Sequence, residues 1–375
     1  MDVFCVGFAQ KCDLALASPS LLGLKLSEAC RPHGTMLTGR NAAGGRLSAG
    51  RANNIQGGPV LSNIGSGALD WAARQVQRIR VRRQFKYHMG YYGDFENPRT
   101  YQEKLQFRKI YGNQQFYALV ADKYRVRDYV AARAGGRYLI PLLAAHDRLA
   151  PRDFATLPDR FIIKANHGCK WHQVVRDKRT LDIAATVRRF NDYARTRYGW
   201  ESSERHYSFI KPKIVIEQLL EGNTGGCPWD YCFFAYNSPA GFDYAYAIVA
   251  PDGRSAAFTK HGELQVSTIP EGELAPHLNP ANFPEMLQVA RTLSADFDFV
   301  RVDLYSVGDK VYFGELTCTP HQGYGPIDEP QRQKMRDEMW QLDAYNKLLY
   351  NAPAAYGRKS ARHRRELQAT PAPSS

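Results

Sequence analysis

The run RVDLYSVGDKVYFGELTCTP, residues 301–320, places the tightest constraint on how this chain can fold. Two apolar-alternating segments flank VGDK, the pattern of a β-hairpin; the first carries Arg301 and Asp303 and the second carries Glu315 near its end. An unpaired charge in an apolar strand costs several kcal/mol, so any fold that accepts these strands must supply partners for the charges. Lys164 at the end of RFIIK and Glu217 at the end of KIVIE pose the same problem. Pairing of Lys164 with Glu217 and of Arg301 with Asp303 inside the protein is one answer. A bound ion and its ligand is the other.

The order of these residues favours the second answer. A lysine at a strand end before a small-residue loop suits phosphate oxygens, and a glutamate followed by the apolar QLL suits an adenine amino group and hinge. Two acids on one hairpin suit Mg2+, which takes hard oxygen ligands and bridges phosphates. Parity adds to this: Arg301, Asp303 and Tyr305 share one strand face, as do Glu315 and Thr317. If 299–305 pairs with 311–317, both acids can point into one cleft.

Strand-like runs FIIKA, HQVV, KIVIEQLL, DYCFFAYN, FDYAYAIVA, FVRVDLYS and KVYFGELT mix with helical stretches IAATVRRFNDYARTRY and PEMLQVARTLSADF, without strict βαβ alternation. That mixture predicts an α+β fold. Ahead of it lies a helical region, with ALDWAARQVQRIRVRRQFKYH, a helix capped by Thr100 toward Glu103 after Pro98, and one stopped by Gly135 and Gly136. Residues 1–70, rich in Gly, Ala, Ser and Asn without periodicity, read as disordered or as an over-long translated start. The expected division is therefore 1–70 disordered, 71–155 helical, 156–222 a small subdomain, 223–351 a large one with the metal site, and 352–375 a disordered basic tail.

The net charge of +13 resides mainly in the ends: residues 1–80 hold +5 and 352–375 hold +4, leaving +4 over the middle. So modest a charge on the folded part argues against nucleic acid as a partner. The seven cysteines show no CxxC or metal-type spacing, which suits a reducing cytoplasm. No run approaches the ~20 apolar residues needed to span a bilayer, and the opening MDVFCVGFAQKCD lacks a signal peptide's basic start.

Taken in order, the lysine in ADKYRVRDYV, LPDRFIIKANHG, KPKIVIEQ, FVRVDLYSV and YFGELTCTP resemble the ATP-grasp superfamily, and more closely the TupA-like ATP-grasp family, associated with teichuronic acid and other bacterial surface polysaccharides. The resemblance runs from about Tyr87 to Asp343. It implies two α+β subdomains clasping ATP, and an enzyme that activates a carboxylate as an acyl-phosphate before an amine attacks it. It implies that Lys123 and Lys164 hold the nucleotide phosphates under the loop NHGCKWHQ, with Gly168 and His167 in that loop. Glu217 would meet the adenine amino group, Gln218, Leu219 and Leu220 the hinge, and Asp230 the ribose. Asp303 and Glu315 would bind Mg2+, with Arg301 beside the transferring phosphoryl group. Thr317 stands where many ligases of the superfamily carry Asn, and its hydroxyl is a poorer Mg2+ ligand than an amide carbonyl.

The resemblance leaves the reaction open among a carboxylate–amine ligase, a kinase acting on a sugar hydroxyl, a glycosyltransferase-like enzyme and an ATP-binding subunit without turnover. No convincing DxD sugar-nucleotide motif favours the glycosyltransferase. The substrate would be a small molecule or glycan precursor, and His321, Gln322 and Tyr324 after the hairpin are candidates to contact it. The basic tail, through 358–365, points to weak peripheral contact with anionic lipid at the inner membrane face.

Overall fold

The computed structural model describes residues 62–351 apart from Thr224, Pro326, Asp328 and Tyr345, with side chains from residue 73 onward. Of the stretch expected to be disordered, 1–61 lies outside the described residues, as does 352–375. Residues 62–70 instead extend a helix, because each added residue of a nucleated helix gains a backbone hydrogen bond. The described residues from Ala72 onward belong to one compact unit.

Four helices come first: α1 (Ser62–Met89), α2 (Tyr101–Tyr111), α3 (Gln114–Ala121) and α4 (Val126–Arg133). The predicted capping box forms, with the Thr100 hydroxyl accepting from the Glu103 amide and the Glu103 carboxylate accepting from the Thr100 amide. α2 is buried along its whole length. It is clamped by Arg108, which donates to Asp298 at 2.5 Å and to the Cys318 carbonyl at 2.8 Å. The helical region is thus part of the core of the larger sheet rather than a body ahead of it.

A four-stranded antiparallel sheet follows, built from β1 (Leu142–His146), β2 (Phe161–Ala165), β3 (His172–Val175) and β4 (Ile214–Gln218) in the order β1-β4-β2-β3. Its first strand lies within the stretch expected to be helical, so the smaller subdomain begins before residue 156. Phe161, Ile163, Ile214 and Ile216 pack with Phe190 of α5 (Ile183–Tyr193). The alternation of the strands turns Ile162, Lys164 and Glu217 to the other face.

The six-stranded antiparallel sheet has the order β10-β9-β5-β6-β7-β8. Its strands are β5 (Asp230–Ser238), β6 (Gly241–Val249), β7 (Ser255–Phe258), β8 (Leu264–Ser267), β9 (Phe299–Val307) and β10 (Lys310–Thr317). After the short α6 (Glu271–Leu274), α7 (Phe283–Ser294) presents Met286, Val289, Ala290 and Leu293 at helical spacing. These pack with Phe233, Val300, Val302 and Leu304 on one side of the sheet. The opposite side carries Cys232, Phe234, Tyr236 and Phe299 beneath Tyr101 and Leu105 of α2 and Trp340, which follows α8 (Pro330–Met339). Asp230, Arg301, Asp303 and Tyr305 share that side by strand register. No helix among the described residues is long and apolar enough to cross a membrane.

Candidate active site

The hairpin that posed the problem forms in an unexpected register. Gly308 and Asp309 make its turn, and from there the ladder runs Val307↔Lys310 to Leu304↔Phe313. Simple continuation would set Gly314 opposite Asp303 and turn Glu315 to the other face. A bulge at Gly314 adds one residue, so that Glu315 lies opposite Asp303 and Thr317 opposite Arg301. Both acids then face one cleft. The space at the bulge is tight: a Cβ on Gly314 would come within 3.1 Å of the Asp303 carbonyl and of the Tyr305 ring.

Arg301 grips Asp303 with two hydrogen bonds, Nε at 2.7 Å and Nη2 at 2.6 Å, and both side chains are buried. The same Nη2 donates to the Thr317 hydroxyl at 3.1 Å, which in turn donates to Glu315 at 3.0 Å. Thr317 therefore links the arginine to the second acid. Asp230 lies alongside, buried, with its Oδ1 lacking a hydrogen-bond partner among the described residues. Burial, reinforced by the Asp303 charge, pushes its carboxyl up to about 8, against the pull of a hydrogen bond from Tyr305.

Across the cleft, Lys164 donates to Glu217 at 2.8 Å, and Arg127 of α4 donates to the other Glu217 oxygen at 2.8 Å. The internal pairings Lys164–Glu217 and Arg301–Asp303 are both present. Lys123 points to the loop after β2, donating to the Gly168 carbonyl at 2.9 Å. Asn166 ties the two segments together by donating to Asp122 at 2.8 Å, while the Lys123 amide donates to the Asn166 carbonyl. Gly168 cannot carry a side chain here, since a Cβ would lie 2.3 Å from the Trp171 ring. Trp171 itself stacks on Tyr193 of α5, 4.8 Å between centroids.

Lys123, Lys164, Gly168, Glu217, Asp230, Asp303 and Glu315 line one cleft, about 890 Å3 of space including its open mouth. Arg301 and Thr317 stand behind the acids, outside that lining. His167 is buried below the loop, its ring nitrogens 3.1–3.2 Å from Asn166 Oδ1 and from the carbonyls of Tyr193 and Thr196, which suits it to order the loop. Gln218, Leu219 and Leu220 are also outside the lining, and the Gln218 amide donates to the Pro141 carbonyl. His321 and Gln322 follow the hairpin in left-handed backbone, φ 52° and 56°, and Tyr324 turns to Gln84 and His88.

Sequence reasoning missed Arg127, Trp171 and the apolar wall of Val126, Leu139, Ile140, Ile162 and Phe313. Of these only Ile162 and Phe313 left a signal, the apolar character of the strands that carry them; Val126 lies on α4, and Leu139 and Ile140 precede β1. This donor set fits a magnesium nucleotide: two carboxylates opposite each other leave coordination positions for phosphate oxygens, lysines stand across from them, and the Asp230 oxygen lacks a partner. Among the described residues no group of three or more His, Cys, Asp or Glu is arranged to hold a metal by itself.

The family described as TupA-like ATPgrasp matches residues 103–334. No curated protein matches the chain. Among solved structures, the D-alanine–D-alanine ligase from Helicobacter pylori aligns at 15% identity over 60% of this chain and 62% of that one, with a TM-score of 0.37. The chain thus spans somewhat under two thirds of that enzyme's length. The D-alanine–D-alanine ligase from Bacillus anthracis complexed with ATP aligns at 15% identity over 71% and 74%, with a TM-score of 0.34. The N5-carboxyaminoimidazole ribonucleotide synthetase from Thermus thermophilus aligns at 11% identity over 53% and 45%, with a TM-score of 0.31.

Proposed function

Because this chain belongs to the TupA-like ATP-grasp family, we propose that it is an ATP- and Mg2+-dependent ligase that joins a carboxylate to an amine through an acyl-phosphate, on a precursor of surface polysaccharide. One observation carries the reading: Lys123, Lys164 and Glu217 from one side of a single cleft face Asp230, Asp303 and Glu315 from the other. Two lysines and two acids in that arrangement suit a polyphosphate and its counter-ion, and the apolar wall beside Glu217 suits a purine ring.

In this reading Lys164 exchanges Glu217 for phosphate oxygens, and Arg127 keeps Glu217 paired as it turns to the adenine edge. Lys123 releases the Gly168 carbonyl in the same way. Arg301, held flat by Asp303, lends its charge to the transferring phosphoryl group. Held by Asp303, Glu315 and phosphate oxygens, Mg2+ would neutralise charge on the leaving diphosphate. A carboxylate oxygen of the substrate attacks the γ-phosphorus as its bond to the bridging oxygen breaks and ADP leaves. An amine then attacks the acyl carbon, phosphate departs and the amine loses a proton.

Hydroxylamine, a small amine, tests this directly. With uronic acids as donors, carboxylate-dependent ADP release together with hydroxamate is expected, and both should be lost in Glu315→Gln. ADP with a stable sugar phosphate and no hydroxamate would make the enzyme a kinase. Turnover of UDP-sugars without ATP would make it a glycosyltransferase. The same reading puts the enzyme in the cytoplasm beside membrane-bound assembly, with 352–375 on anionic lipid; liposome co-sedimentation indifferent to deletion of that tail would contradict this part.

A further inference from the structure

Arg336 is a buried charge that the nucleotide cleft does not use. It lies on α8 one turn after Arg332, so both side chains leave the same helix face, next to the six-stranded sheet. Arg336 is only 5% exposed, and its guanidinium sits 3.7 Å from the centre of the Phe234 ring and 5.4 Å from that of Tyr101. Among the described residues it forms no ion pair, and its Nε has no hydrogen-bond partner. A guanidinium brings five donors, and removing it from water without an anion is strongly unfavourable. The buried Tyr101 hydroxyl lies beside this guanidinium, and among the described residues neither it nor that of Tyr236 has a well-formed hydrogen bond.

Other positive charges gather at the same place. Phe234, on which Arg336 stacks, is the cross-strand partner of Arg301. His321, in its left-handed backbone, lies within electrostatic reach of Arg301, Arg336 and Arg332, and burial with these charges pushes its imidazole down to about 3. Arg301 is neutralised by Asp303 and Arg332 pairs with Glu329, leaving Arg336 without its own counter-ion among the described residues. The cluster sits at the end of the strand pair just beyond the two acids.

We propose that this cluster binds an oxyanion of the second substrate, a carboxylate or a phosphate group, and that Arg336 reads its charge. The inference rests on the nucleotide reading of the neighbouring cleft for the direction of the chemistry, and it names the substrate class: an acidic molecule whose charged group enters over β5 and β9 next to Arg301.

The test uses the full chain saturated with Mg-AMPPNP. The Nε–H resonance of Arg336 is followed by NMR as formate or inorganic phosphate replaces chloride at constant ionic strength, and is assigned by its loss in Arg336→Met and Arg336→Lys. A saturating shift with at least one of the two is expected, and the one that acts distinguishes carboxylate from phosphate. Calorimetry should show that anion bound at least about tenfold more weakly by Arg336→Met, the scale of one lost charged hydrogen bond. Mg-AMPPNP affinity should stay within about twofold of wild type in Arg336→Lys, the variant that keeps the charge. A resonance unmoved by both anions overturns the inference, as does anion binding unchanged in Arg336→Met. If AMPPNP fails to bind while the resonance still responds, the nucleotide reading fails and the anion site stands.

Discussion

Asp303 and Glu315 face each other across one ladder, but loss of charge should affect them differently. Asp303 alone neutralises the buried Arg301, so Asp303→Asn is expected to cost about 3–5 kcal/mol in chemical denaturation. Glu315 is half-buried and bonded to Thr317, and Glu315→Gln should cost no more than about 1 kcal/mol while abolishing turnover. Equal destabilisation by both would contradict this division of roles. A second expectation concerns His206, buried against Tyr117 and Tyr207, whose imidazole is pushed down to about 3 by burial and by Lys109. The unfolded chain takes up that proton near pH 6.5, so this stability is complete above pH 6.5 and drains away as pH falls toward 3, by at most about 1.4 kcal/mol per pH unit. Urea midpoints at pH 7 and pH 5 should therefore differ less in His206→Gln than in wild type. At this scale Lys164, Glu217, Asp303 and Glu315 were legible because a charge in a period-2 apolar run has no ordinary place. Arg127 was not, because it reaches the cleft from a helix whose sequence marks neither face.

At the scale of elements, most strands were legible and their register was not. The two-residue turn of Gly308 and Asp309 fixes the ladder, and only the bulge at Gly314 brings Glu315 round to Asp303. Parity within each strand was right; parity between them depended on one unpaired glycine that no pattern of apolar residues announces. Gly314→Val should push against the Asp303 carbonyl and the Tyr305 ring, cost about 1–3 kcal/mol, and weaken Mg-ATP binding. Unchanged nucleotide affinity in a folded Gly314→Val protein would mean that the bulge does not position the acids. β7 and β8 escaped notice because SAAF and LQVS are short and weakly apolar, and β1 because LLAAH is as good a helix as a strand.

On the scale of the whole molecule, the two sheets and α4 present their polar faces to one cleft while α2, α7 and α8 close the core around the larger sheet. The ATP-grasp fold was legible from five short segments in the right order, each weak alone. The merging of the helical region with the large sheet was not, because the Arg108–Asp298 clamp joins residues 190 apart in sequence.

Whether this cleft holds Mg-ATP is tested most directly by calorimetric titration of Mg-ATP into the wild type and Lys164→Met. This variant leaves Glu217 paired with Arg127, so the fold is spared. Micromolar binding in the wild type, weakened at least about tenfold in a folded Lys164→Met protein, is the expected result. No binding in the wild type, or equal affinity in both, would contradict Mg-ATP binding in this cleft.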